Sequence, residues 1–241
     1  MKVCIPEILN KVYFAPISES NDFQPNTYYK EKVSRYGLGE YECLDIERVF
    51  KYAYAYEQVI ECYPNKEAEY SEGLGSYIVN YMTTGDIFSF SNIKDLERLI
   101  TLGADIQYAT DLAHKLTIPS NKRKTITKEC FKLLCFLLKK GCPINKSMIH
   151  SASLWDSVKL FDEFFKYKID FPILNYGLGV SLAHVQDIKE SGLLDKFIKK
   201  GATLFDVDIY NKILEKDVDR YFVVVEFLKR KYGDKYKDFI N

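Results

Sequence analysis

Three histidines and six cysteines are the residues of this chain best suited to metal binding or nucleophilic chemistry, and their spacing decides whether they can do it. His114, His150 and His184 lie 36 and 34 residues apart, so none has a second ligand at the short spacing from which a zinc site is built. Cys4, Cys43, Cys62, Cys130, Cys135 and Cys142 form no C-x-x-C pair and read as reduced thiols packed as small hydrophobes. Ser147 and His150 are near neighbours, but no carboxylate is placed to orient the imidazole as a general base. GLG occurs at 37–39, 73–75 and 177–179 without the continuation of a phosphate-binding loop, and reads as a turn each time. A G-x-S-x-G elbow is missing. The sequence therefore predicts no catalytic residue, no cofactor-binding residue, no metal ligand and no enzyme.

Charge narrows the partners. The 241 residues carry 34 basic and 34 acidic side chains, so no overall field draws the chain to nucleic acid or anionic lipid. NKRK at 121–124 and KRKYGDKYK at 229–237 are basic, with Tyr232 and Tyr236 as stacking surfaces, but Asp234 and Asp238 interrupt and follow the second. Lysines at a helix end also suit the dipole and solubility, which is the plainer reading. No stretch approaches the roughly 18 apolar residues of a membrane span, and Pro6 and Glu7 break the apolar patch near the N-terminus. A protein that is 47% hydrophobic and 15% aromatic has enough apolar surface for a folded core in one or two domains. Lysine outnumbers arginine 28 to 6, and Tyr, Asn and Ile are frequent, a usage expected of an AT-rich genome.

The elements follow from the stretch FKLLCFLLKKGCPINKSMIHSA at 131–152. Phe131, Leu134, Leu137 and Leu138 make an apolar stripe at helical spacing. Lys139 and Lys140 suit the negative end of the helix dipole, Gly141 suits a left-handed closing residue, and Pro143 prevents resumption. The pattern recurs in LERLITLGADI at 96–106, FDEFFKYKIDF at 161–171, LDKFIKKGATL at 194–204 and VEFLKRKYGDK at 225–235. The closing positions are Gly103, Gly141, Lys168, Gly201 and Lys231, at intervals of 38, 27, 33 and 30 residues.

These residues resemble the ankyrin repeats. GAD stands intact at 103–105, with weaker versions at 141–143 and 201–203. MIHSAS at 148–153 is similar to the family's Thr-Pro-Leu-His-x-Ala start of a first helix through Ile149, His150 and Ala152. Leu160, Phe161, Phe164 and Phe165 take the second-helix core positions. The resemblance covers about residues 75–241 and implies an all-α helical repeat solenoid of ankyrin-like helix pairs. It also implies departures. Only nine residues separate Gly141 from His150, so the hairpin finger there should be truncated. TIPSNKRKT at 117–125 reads as an exposed insertion. Lysine at 168 and 231 should close its turns differently, since a left-handed non-glycine residue costs about 1–2 kcal/mol. Trp155 falls at a turn between helices, where inter-repeat packing is a plainer role than a partner anchor.

Residues 1–74 read as an N-terminal capping segment, because a repeat array must cover its terminal apolar face. Within it, 44–63 has helical spacing through Ile46, Val49, Phe50 and Ala53, and SYIVNYM at 76–82 reads as a helix paired with IKDLERLI at 93–100. As an alternative, IPEILNKVYF at 5–14 resembles the opening of an F-box helix, which would make the N-terminal segment a separate adaptor. The resemblance implies a non-catalytic protein-interaction module or scaffold, monomeric, with a protein partner and no cofactor. Similarity to the ankyrin proteins of large DNA viruses implies action in the host cytoplasm; a structural virion component is the remaining alternative.

Overall fold

A computed structural model describes residues 12–17, 28–30, 41–64, 68–71, 76–79, 81–119, 126–155, 157–184, 192–203 and single positions between 222 and 234. Helix is the commoner element among them, and it is accompanied by a β-sheet. The chain divides into two compact units, Met1–Leu112 with Lys140–Cys142, and Ala113–Lys139 with Pro143–Asn241.

The first unit departs from the all-α expectation. Strands β1 (Tyr13–Ile17), β2 (Tyr28–Lys30), β3 (Tyr41–Asp45), β4 (Gln58–Pro64), β5 (Ala68–Ser71), β6 (Ser76–Val79) and β7 (Tyr81–Ser89) form a sheet in the order β2-β7-β4-β1-β3-β6-β5. All its pairings are antiparallel. β1 is central, and three successive residues, Tyr13, Phe14 and Ala15, are buried, so both faces of the sheet are covered there. The F-box-like segment thus ends in extended chain at Tyr13 and Phe14, not in a helix; residues 5–11 lie outside the described residues.

The helix expected over 44–63 is replaced by the end of β3, a 3-10 helix at Ile46–Tyr54 and β4. Val49, Phe50 and Ala53 are buried as their spacing requires, but Val59 and Ile60 favour a strand and pair with both β1 and β7. The described residues of SYIVNYM are likewise extended, in β6 and the start of β7, as its content of Tyr, Ile and Val favours. The sheet therefore crosses residue 74 and runs to Ser89.

Helix α1 (Ile93–Leu102) follows, started by Asn92, whose side chain accepts from the Lys94 N–H. It stops at Gly103 with φ of 112°; the Gly103 N–H donates to Ile100 O and the Ala104 N–H to Leu99 O, a Schellman closure. α7 (Leu193–Lys199) repeats the closure, with Gly201 at φ 89°, its N–H donating to Ile198 O and that of Ala202 to Phe197 O. A Cβ at Gly201 would meet nothing within 4 Å, so only backbone strain opposes a side chain. Gly201→Ala is expected to lower unfolding free energy by about 1–2 kcal/mol, read from urea denaturation.

α2 (Thr110–Thr117), α3 (Lys128–Lys139), α4 (Lys146–Leu154), α5 (Val158–Phe164) and α6 (Phe171–His184) lie between these two helices. Gly141 has φ of 100°, and Asn145 starts α4 four residues later by accepting from the Met148 N–H. No strand occupies 142–145, so the connection is as short as its nine-residue path to His150 requires. Where lysine takes the glycine position at 168, α5 has already closed: the N–H groups of Lys166 and Tyr167 donate to the carbonyls three residues back. Toward the end of the chain the left-handed glycine is Gly233, two residues beyond the expected mark at Lys231, which lies outside the described residues. Residues 120–125 of the insertion and most of 229–237 do also. No helix among the described residues is long and apolar enough to cross a membrane.

Candidate functional site

In the second unit the side-chain contacts join each helix to the one two places further along the chain. His114 Nε2 on α2 lies 3.1 Å from Ser151 Oγ on α4. Ser153 Oγ on α4 lies 3.1 Å from Ser181 Oγ on α6, both buried, and a Cβ on Gly177 of α6 would stand 2.7 Å from Ile149 Cγ2 of α4. The other helices do the same. Lys159 Nζ on α5 sits 4.0 Å above the Phe131 ring of α3, and Phe197 on α7 meets Phe161 and Phe165 at ring distances of 5.3 and 5.0 Å. Lys196 pairs with Asp162.

The sequence separations of these contacts carry information. From α2 to α4 the separation is 37 residues, against 38 between closing positions Gly103 and Gly141. From α3 to α5 it is 28 and from α4 to α6 it is 26 to 28, against 27 between 141 and 168. From α5 to α7 it runs from 32 to 36, against 33 between 168 and 201. Ile149 with Gly177 and Ser153 with Ser181 meet at one separation, so α4 and α6 run parallel, and the other separations stay close to the spacing of the closing turns. Leu160, Phe161, Phe164 and Phe165 are all buried, and Trp155 is the half-buried residue that ends α4.

The residues singled out for chemistry are dispersed by this packing. His150 Nδ1 meets Tyr176 OH at 3.0 Å, with the rings stacked and Lys146 Nζ 5.3 Å from the Tyr176 centroid. Ser147 is exposed; the serine brought to a histidine is Ser151, buried and on His114. The side chain of His184 lies outside the described residues. Buried Glu163 accepts from Lys166 Nζ and Tyr167 OH, while burial, and then the Glu163 charge, push the Cys135 thiol up from its ordinary pKa. Among the described residues no group of three or more His, Cys, Asp or Glu is arranged to hold a metal.

Cys62 and Cys142 are buried and in no disulfide; Cys4 and the side chain of Cys43 lie outside the described residues. Burial pushes the Cys142 thiol up to about 12, so it stays protonated and unreactive at neutral pH. Iodoacetamide at pH 8 is expected to label Cys142 at least tenfold more slowly than half-buried Cys130, with mass spectrometry of the digested chain as the readout. Urea should abolish the difference.

One feature the periodicity did not signal lies in the first unit. Ile60 pairs with Ile87 and Cys62 with Thr84, so Glu61 faces two β7 residues, Gly85 and Asp86, across a β-bulge. Glu61 Oε2 accepts from the Asp86 N–H at 3.0 Å and from Tyr63 OH at 3.1 Å. A Cβ at 85 would lie 2.4 Å from Glu61 Oε2, so a side chain there would push that carboxylate from its place. Asp86 in turn pairs with Arg98 of α1 at 2.6 Å. Beside the bulge, Val12, Phe14, Asp45, Ile46, Glu47, Glu61 and Leu102 line an open groove of about 440 Å³. Gly85 and the alternation around Glu61 were the available signals, hidden by reading 44–63 as a helix.

No protein-family model matches the chain, and comparison with curated proteins and with solved structures finds no significant match.

Proposed function

We propose that the chain is a non-catalytic protein-interaction module whose helical part is a degenerate ankyrin-like array with shortened fingers. The observation that carries this reading is the agreement between the contact separations of like helices and the intervals between their closing turns. Helices stepped in this way present an extended face built from successive units, which suits recognition of another protein over a broad area. From the resemblance to ankyrin proteins of large DNA viruses, the partner is a host or viral protein met in the host cytoplasm.

The test is affinity capture with the full chain from the producing cell, quantified against the Phe197→Ala chain, whose helical packing is damaged. A partner retained in stoichiometric amount by the native chain and lost with Phe197→Ala supports the reading. Retention of nothing above background by the native chain, or turnover of a small molecule by the purified protein, contradicts it.

A further inference from the structure

We draw no further inference here: the strongest candidate, the cluster between α3 and α5 in which the Cys135 thiol, Lys166 and Tyr167 gather on the buried Glu163 carboxylate, carries nothing, because burial and that carboxylate keep the thiol protonated, its hydrogen bond keeps Lys166 an ammonium, and nothing among the described residues points to a ligand for either group.

Discussion

Phe197→Ala is expected to lower the unfolding free energy of the second unit by about 3–5 kcal/mol, the usual range for removing a fully buried phenylalanine. The ring is fully buried and closes on Phe161 and Phe165 in edge-to-face contacts at 5.3 and 5.0 Å. Its Cε1 also lies 3.0 Å from where a Cβ on Gly177 would be, so α5, α6 and α7 all rest on one side chain. Domains are stable by only about 5–15 kcal/mol, so the loss takes a large share of the whole. Chemical denaturation followed by helical circular dichroism is the measurement. Gly177 sharpens it. Alanine there gains up to about 1 kcal/mol of helix propensity but overfills the space between Ile149 and Phe197, at about 1–3 kcal/mol. In the Phe197→Ala background one of the two clashes is gone, so Gly177→Ala should cost less than in the native chain, a coupling that a double-mutant cycle reads.

The first unit has its counterpart in Phe88. It is fully buried in β7, meets Phe14 of the central strand edge-on at 6.0 Å and lies beneath the Arg98 guanidinium at 4.8 Å. Phe88→Ala should remove about 3–5 kcal/mol of packing, with a further contribution of about 0.5–1 kcal/mol from the cation–π contact. The comparison variant is Arg98→Ala, which loses that contact and the exposed ion pair with Asp86. Exposed pairs contribute about 0–1 kcal/mol, so this variant should stay within about 2 kcal/mol of native. A cost for Arg98→Ala as large as that for Phe88→Ala would show that charge rather than packing holds α1 to the sheet. Unfolding monitored by tyrosine absorbance and by hydrogen exchange of β4 and β7 separates the two.

The helical part was legible because its signals are local. A helix stop is written in consecutive residues: an apolar stripe, cations, a glycine, then Asn or Asp to start the next helix. Gly103, Gly141 and Gly201 all adopt the left-handed conformation that this grammar requires. The sheet was not legible because its determinants are distant in sequence. Val49, Phe50 and Ala53 do share a buried face, and that correct periodicity drew the helix forward into Gln58–Pro64, which becomes a strand only through pairing with β1 and β7. The bulge at Glu61 depends on Gly85, 24 residues away, and no local pattern announces a glycine whose role is to admit a carboxylate from another strand. Ser153 and Ser181 illustrate the same limit within the helices, since neither was singled out from the sequence, yet their hydroxyls meet where α4 packs on α6.

That packing carries both the fold and the functional reading, because an extended interaction face requires like helices to stack in parallel at the step of the closing turns. Ser153 and Ser181 have their hydroxyl oxygens 3.1 Å apart across 28 residues, close enough for cysteines at both positions to join with modest adjustment. The decisive measurement is disulfide mapping by mass spectrometry on the full chain carrying Ser153→Cys and Ser181→Cys, under mild oxidation. The chain carrying Ser147→Cys and Ser181→Cys, displaced along α4, serves as the register control. Parallel stacking predicts a link between the two introduced thiols in the first chain and none in the second. Linkage in the control alone, or equal linkage in both, would contradict the stacked arrangement and the interaction face built upon it.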